Sequence, residues 1–315
     1  MKKILTLTPN PALDVSTGVE RVIPVRKLRC GAARRDPGGG GINVARVLKR
    51  LGTDVTALFP VGGSTGDLLG RLVAREGVKR VTIPIAGETR ENFTVNEVES
   101  QEQYRFVLAG PTLSVAERQN CLDTLVEHMS AGGLLVASGS LPDGVPTSFY
   151  ASVAEIAAAS GVGFVLDTSG AALAGALGHG VSLIKPNLRE LGDLVGGDTA
   201  TENAQIKACR ALVDSGKTEA VALTLGAEGA LLVTGGGVWR ARPPKVAAES
   251  AVGAGDSFTA GMVWGMASGW PLEKAFSLGI AAGAAAALTP GTELCHADDV
   301  WRLVDQIQVE KIPIL

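Results

Sequence analysis

The sequence predicts an α/β fold: a mostly parallel central sheet covered by helices on both faces, plus a small β-sheet lid. Three observations lead there. Strand-length apolar runs alternate with helix-length amphipathic stretches along most of the chain, the pattern of repeated β–α units. That alternation breaks twice, at about 15–36 and 80–108, where β-favouring segments occur without a helix between them. Apolar residues make up 46% of the 315 positions and charged residues 19%, the balance of a globular chain with a large core.

Residues 3–8 read as a buried strand stopped by Thr8-Pro9-Asn10-Pro11, with Asp14 just past its carboxyl end, where open α/β sheets place ligands. The stretch 15–36 is irregular and basic. Pro37-Gly38-Gly39-Gly40-Gly41 then opens a helix at 42–51, followed by a strand at 54–61 and a helix at 66–76. Strands at 81–85, 92–98 and 103–107 come next with no helix among them; with 15–36 they predict a lid built from about 15–36 and 87–108. Alternation returns: helices at 115–129, 147–160, 169–177, 188–195 and 201–214 are interleaved with strands at 134–138, 163–167, 181–184 and 219–224. Strands at 230–234 and 237–241 read as an antiparallel addition, and helices at 256–268, 271–287 and 297–308 close the chain. No repeat, low-complexity linker or domain cut interrupts 1–315, so a single domain is expected.

Composition excludes several classes. A net charge of −3, with no long basic run and 4% aromatics, provides neither an electrostatic footprint nor stacking platforms for nucleic acid. The apolar run before Pro9 is shorter than a secretion signal, and the run at 278–288 is too short to cross a bilayer. Cys30, Cys121, Cys209 and Cys295 are far apart, and the three histidines lack metal-ligand spacing. A cytoplasmic protein with reduced thiols is the expectation.

Three stretches carry chemistry. In Ala251-Val252-Gly253-Ala254-Gly255-Asp256, two glycines can fold backbone N–H groups into an anion-accepting turn at a helix start. Asp256 there is either a general base or a helix cap. The run Gly38 to Gly41 either lets a ligand approach the backbone closely or is flexible punctuation, with Asn43 placed to meet sugar hydroxyls. In Lys185-Pro186-Asn187-Leu188-Arg189-Glu190, Asn187 and Glu190 share one helical turn and suit either a capping box or a hydrated Mg²⁺ beside phosphates. Thr224-Leu225-Gly226-Ala227-Glu228-Gly229 is a further glycine turn at a strand end, and Lys27, Arg29, Arg90 and Arg105 are basic residues of the lid. The commonest dinucleotide and P-loop fingerprints do not occur.

These pieces, in this order, resemble the ribokinase-like sugar kinases, whose signatures are matched by 37–51 and 250–261 and whose Asn-x-x-Glu turn is matched by 187–190. Leu5 to Thr8, Lys27 to Cys30, Gln103 to Phe106 and Ser138-Gly139-Ser140-Leu141-Pro142 carry the resemblance nearly end to end. It implies a three-layer α/β/α domain and phosphoryl transfer from ATP to a sugar-phosphate hydroxyl. By the same resemblance Asp256 is the catalytic base and Gly253, Ala254 and Gly255 form the anion hole. Asp14, Gly39, Gly40, Asn43 and Gly139 correspond to the sugar side, and Lys27 and Arg90 to the phosphate end. Lys185, Asn187, Thr224, Gly226 and Gly229 correspond to ATP contacts, and Glu190 to the Mg²⁺ carboxylate. Many members also bind a monovalent cation such as K⁺; the corresponding carbonyls are those of Ser250, Val252, Ala286, Thr289 and Gly291.

The resemblance further implies a homodimer packed through the lid, and fructose 6-phosphate as the first-choice acceptor, with tagatose 6-phosphate and fructose 1-phosphate as rivals. Relatives acting on fructose 1-phosphate usually carry Ala-Gly-Lys-Gly where this chain has Gly38 to Gly41. Many relatives carry Thr where this chain has Ala251, so a hydroxyl contact is lost there. A sensor protein that kept the fold without catalysis would be marked by loss of Asp256 or the anion-hole glycines, and both are intact.

Overall fold

The computed structural model describes residues 1–291 and 293–313. The chain enters through β1 (Ile4–Leu7), then forms β2 (Ala12–Val19) and β3 (Arg34–Gly38) before helix α1 (Gly40–Arg50). Next come β4 (Val55–Val61), α2 (Gly63–Arg75) and β5 (Lys79–Pro84), then the helix-free pair β6 (Arg90–Glu97) and β7 (Gln103–Val107). Alternation resumes with α3 (Val115–His128), β8 (Leu134–Ser138), α4 (Phe149–Ala159), β9 (Gly163–Asp167), α5 (Gly170–Ala176) and β10 (Leu183–Ile184). Helices α6 (Leu188–Val195) and α7 (Glu202–Asp214) lead to β11 (Ala220–Thr224), β12 (Ala230–Thr234) and β13 (Gly237–Ala241). Helices α8 (Ala254–Ala267), α9 (Leu272–Ala286) and α10 (Ala297–Val304) precede a last strand, β14 (Val309–Ile312).

Among the described residues ten strands form one sheet, in the order β14-β13-β12-β11-β10-β9-β8-β1-β4-β5. From β5 to β11 the pairing is parallel, and β12, β13 and β14 are antiparallel additions. Side chains alternate across it as strand geometry requires. Leu134, Val136, Ala230 and Leu232 pack on one face with α1, α2, α8, α9 and α10. Leu135, Ala137, Leu231 and Val233 pack on the other with α3 to α7. The result is the three-layer α/β/α arrangement. Helices α8 and α9 run through the first layer buried nearly all round, so close that a side chain at Gly261 would lie 2.5 Å from the Leu278 carbonyl oxygen. That close approach explains why small residues line the facing sides of α8 and α9.

From β1 the chain winds outward to β4 and β5 and, on the other side, to β8, β9, β10 and β11. The order therefore reverses between β1 and β8, the place where open α/β sheets form a ligand crevice beyond the carboxyl ends of their strands.

The second sheet has the order β3-β2-β6-β7. Its β2 pairs antiparallel with β3 and parallel with β6. It starts earlier and ends later than expected on the first side, from Ala12 to Gly38 rather than about 15–36. Two expectations are corrected. The strand expected at 81–85 is not a neighbour of the lid strands: β5 pairs parallel with β4 at the edge of the large sheet. The closing helix stops at Val304 rather than 308, and Val309 to Ile312 pair antiparallel with β13. Among the described residues no helix is long and apolar enough to cross a membrane.

Candidate active site

The glycine run lies across the crevice between β1 and β8, and each glycine has a reason to lack a side chain. A Cβ on Gly39, whose φ is +110°, would come 2.6 Å from the Thr8 methyl; one on Gly40 would collide with the Ser138 hydroxyl. At Gly41 it would lie 2.5 Å from the Leu7 carbonyl and the Thr8 hydroxyl, and at Gly38 it would strike the Asp14 carboxylate. The run is therefore a close-packed backbone seat rather than flexible punctuation. It aims α1 so that Asn43, on the first turn, faces the amino end of α8.

There Asn43 Nδ2 donates to Asp256 Oδ2 at 2.9 Å, across 213 residues of sequence. Helix α8 starts at Gly253, which is left-handed (φ 77°, ψ −2°) and makes no side-chain cap. Among the described residues the amides of Gly255 and Asp256 find no acceptor, because the first bond of the helix runs from Ser257 to Gly253. Free N–H groups and the positive end of the helix dipole meet at this turn, an arrangement that suits an anion.

Asp256 does not cap its helix. It faces Asn43 and a second carboxylate, Asp167, at the end of β9. Burial first, and then the charge of Asp167, push its pKa up to about 7, against the opposing pull of Asn43 and Lys185. Lys185 Nζ lies 3.2 Å from Asp167 Oδ1 and would touch a side chain at Gly255 at 3.3 Å. Burial alone would lower the Lys185 pKa, but the charges of Asp167, Asp256 and Glu190 hold it above its ordinary value. Thr259 Oγ1, one turn further along α8, donates weakly to Asp167 Oδ2 at 3.4 Å.

Beyond Lys185 the chain runs into α6. Asn187 Oδ1 accepts from the Glu190 amide at 2.9 Å, and Glu190 Oε2 accepts from the Asn187 amide at 2.8 Å, a complete capping box. The turn at 224–229 is stitched alongside. The Thr224 amide donates to the Pro186 carbonyl at 3.0 Å, and Asn187 and Thr224 form a parallel bridge. Gly226 (φ +61°) starts a short 3-10 turn, and Gly229 (φ +100°) ends it where a side chain would collide with the Ala241 carbonyl. Lys185, Asn187, Thr224, Gly226 and Gly229 thus form one surface leading to the anion turn.

On the other side of the crevice stands the small sheet. Asp14 on β2 accepts from Asn92 Nδ2 at 2.8 Å; burial raises its pKa, and Asn92, Arg105, Arg90 and Arg46 oppose that rise. Arg90 donates through Nη1 to the Leu108 carbonyl and through Nη2 to the Asn10 carbonyl, both at 3.0 Å. Burial depresses its pKa, against the attraction of Asp14. Arg90 Nε, Asn10 Oδ1 and Asn92 Oδ1 are buried with no hydrogen-bond partner among the described residues, polar atoms that call for a polar partner. Gly139 (φ +115°) faces the glycine run, its carbonyl held by Tyr150 and Thr168. Lys27 is on the exposed 20–33 loop and makes no hydrogen bond or ion pair among the described residues. Among the described residues, no contact brings it to Arg90.

The comparisons with known proteins agree with this geometry. The profile of the pfkB family carbohydrate kinases matches residues 12–299, the span from the first strand of the small sheet to the last helix. The chain belongs to the pfkB family of carbohydrate kinases. It is 50% identical over 303 residues to the ATP-dependent 6-phosphofructokinase isozyme 2 of Mycobacterium tuberculosis, covering 96% of this chain and 89% of that protein. Phosphofructokinase-2 from Escherichia coli, solved in complex with potassium, superposes with a TM-score of 0.94 at 40% identity, over 97% of this chain and 99% of that one. The same enzyme in complex with fructose-6-phosphate gives a TM-score of 0.92 at 39% identity and the same coverage.

In this carbohydrate kinase two loops meet beside the anion turn. Ser250 Oγ donates to the Gly291 carbonyl at 3.3 Å and accepts from the Val252 amide at 3.1 Å. Thr289 Oγ1 donates to the Ala286 carbonyl at 2.9 Å, and the Glu249 amide donates to the Ala287 carbonyl at 2.8 Å. The five residues expected at a monovalent-cation site are therefore drawn together. Their donors are carbonyl and hydroxyl oxygens, the chemistry that suits a hard cation.

Four residues of the kinase site were not singled out from sequence. Asp167 was visible only as a strand end, although an acid at the carboxyl end of a parallel strand in an α/β sheet was a usable signal. Thr259, Asn92 and Arg46 gave none, since their roles depend on partners brought in from elsewhere in the chain.

Proposed function

We propose that this kinase transfers the γ-phosphoryl group of ATP to the free primary hydroxyl of fructose 6-phosphate, giving fructose 1,6-bisphosphate and ADP. The observation that carries the reading is the bond from Asn43 to Asp256, which joins the sugar-side glycine run to the phosphoryl-side turn. Asp14 and Asn43 orient the sugar hydroxyls over Gly39, Gly40 and Gly139. Asp256 takes the hydroxyl proton as that oxygen bonds to the γ-phosphorus and the bond to the β-phosphate oxygen breaks. The amides at Gly253, Ala254 and Gly255 then meet charge developing on the transferred group. A raised proton affinity suits this task, since a base is most effective with a pKa near the working pH.

Lys185, Asn187, Thr224, Gly226 and Gly229 bind the nucleotide. Glu190 and Asp167 supply carboxylate oxygens of the kind Mg²⁺ prefers, and that ion, when bound, neutralises phosphate charge. Ser250, Val252, Ala286, Thr289 and Gly291 are the candidate K⁺ ligands. Arg90, with its unpartnered Nε, and Lys27 from the exposed loop receive the sugar's phosphate. Lys27 fits that role best when a second copy packs on the small sheet, whose Phe106 and Val107 are exposed, as is Val25 on the 20–33 loop. A homodimer through the lid and a cytoplasmic setting complete the reading.

The test is an ADP-release assay over fructose 6-phosphate, tagatose 6-phosphate, fructose 1-phosphate and free fructose. Fructose 6-phosphate is expected to give the highest kcat/KM, with free fructose lower by about tenfold to a hundredfold for want of the charged phosphate contact. A preference for fructose 1-phosphate or free fructose would overturn the assignment.

A further inference from the structure

Arg46 is the largest fully buried side chain of the protein, 1% exposed on the inner face of α1. A buried cation is costly unless fully bonded, and this one is. Its Nε and Nη2 bond Glu76 Oε1 at 2.7 and 2.6 Å, at the end of α2. Its Nη1 donates to the Pro37 carbonyl at 3.0 Å, just before the glycine run, and to Asn43 Oδ1 at 3.1 Å. Glu76 is itself braced by Arg50, whose Nη1 donates to the carbonyls of Glu293, Leu294 and Cys295.

A guanidinium has donors only. The amide oxygen of Asn43 must therefore face Arg46, and the amide nitrogen must face Asp256. Turned over, Asn43 would set N–H against guanidinium and oxygen against carboxylate, repulsive at both ends. We propose that Arg46 is a positioning residue for the transfer: it locks the Asn43 amide so that Nδ2 always donates to Asp256 Oδ2, leaving Oδ1 of Asp256 as the oxygen that takes the acceptor's proton. The inference rests on Asp256 being the base. The groups facing Asp256 are Asn43 from α1, Asp167 from β9, Lys185 after β10 and, further off, Asp14 from β2. Those facing Arg46 are Glu76 from α2, Arg50 on its own helix and Asp14 from β2. Among the described residues, Arg46 is the one charged side chain besides Asp256 that bonds the Asn43 amide.

Arg46→Lys separates positioning from charge. The ammonium keeps the cation beside Glu76 but cannot reach Glu76, Pro37 and Asn43 together as the planar fork does. With Asn43 free to turn, its donated bond weakens and Asp256 becomes more basic. The acid limb of kcat/KM should move up by about half a pH unit or more, and kcat should fall about threefold to tenfold, with both KM values within about threefold. Glu76→Gln disturbs the same buried pair but leaves the Arg46 to Asn43 bond, so its limb should not rise. In an Asn43→Ala background, Arg46→Lys should add almost nothing to the limb, because it acts through Asn43. If Arg46→Lys does not fold, the double variant Arg46→Met with Glu76→Met removes both members of the buried pair, leaves Arg50 on its three carbonyl acceptors, and should show the same upward shift.

A folded Arg46 variant with an unmoved limb, or Glu76→Gln moving it equally, would overturn the proposal. Near-normal turnover in Asp256→Asn would instead remove the base reading beneath it. An inactive Asp256→Asn beside an unmoved Arg46 variant removes the positioning role alone.

Discussion

Helices α6 and α8 each carry a carboxylate three residues past the N-cap: Glu190 after Asn187, and Asp256 after Gly253. Asn187 is extended (φ −87°, ψ 175°), and its side chain and that of Glu190 close on each other's backbone amides. Gly253 is left-handed and has no side chain to offer, so no box forms. Asp256 turns out of its helix to Asn43, and among the described residues the Gly255 and Asp256 amides stay free, while that of Ala254 donates weakly to the Ala251 carbonyl at 3.4 Å. The residue at the N-cap thus decides whether the same position stabilises a helix or serves chemistry. From sequence both carboxylates left capping and chemistry open. The structure closes the question for Asp256 against capping, while at Glu190 the cap is formed and a metal role would share the turn with it.

The comparison breaks most visibly at Asp256. Asp256→Asn should lower kcat at least about a hundredfold, with little change in either KM, because only the proton acceptor is removed. Near-normal turnover in a folded variant would return Asp256 to the ordinary run of first-turn acids. Gly253→Asn asks the converse, by offering α8 a capping side chain. Asn tolerates the left-handed conformation better than most residues, but its Cβ would come 2.5 Å from Leu294 Cδ2. Turnover should fall by about tenfold or more as the cap occupies amides meant for the phosphoryl group. Unchanged kcat would show that the free amides do no catalytic work.

At Glu190 a smaller effect is expected. Glutamine also completes a capping box, so Glu190→Gln should shift the melting temperature by less than about 2 °C. The Mg²⁺ concentration for half-maximal rate should rise, and an identical Mg²⁺ titration would leave Glu190 as a cap only. The smallest effect is on stability. The folded-state pKa of Asp256 is raised, so the folded protein holds a proton that the unfolded chain releases near pH 4. Stability therefore falls as pH rises from about 4 to about 7, and above that the cost is fully present. Asp256→Asn should melt about 2–5 °C higher than the parent at pH 8 and at the same temperature at pH 4. Equal melting at both pH values would mean that Asp256 is not strained by its neighbours.

What was legible in the sequence follows from how locally each signal is written. Strand–helix alternation and the glycine turns are local, and α6, β12 and β13 appear at the residues expected. Val309-Glu310-Lys311-Ile312 is a short edge strand with both charged residues exposed, and it reads as the tail of the amphipathic helix before it. β5 was grouped with the small sheet because no helix separates it from β6; only its pairing with β4 places it. In the candidate site, the structure gathers the motif-bearing residues other than Lys27, but the partners they meet there were not legible in the sequence. Asp167 meets Thr259 across 92 residues, and no periodicity reports such a contact. Arg46 shows the same limit, since a basic residue on a helix normally reads as solvated surface.

The central claim, that Asp256 is a base whose proton affinity is raised by its buried surroundings and by Asp167, is tested most directly by the acid limb of kcat/KM in the parent protein and in Asp167→Asn. The phosphate of the substrate also titrates near pH 6, so the difference between the two profiles is the quantity to read. The limb is expected near pH 7 in the parent and about one pH unit lower in Asp167→Asn. Removing the like charge and freeing Lys185 both favour the ionised carboxylate. Superimposable limbs, or an upward displacement, would contradict it.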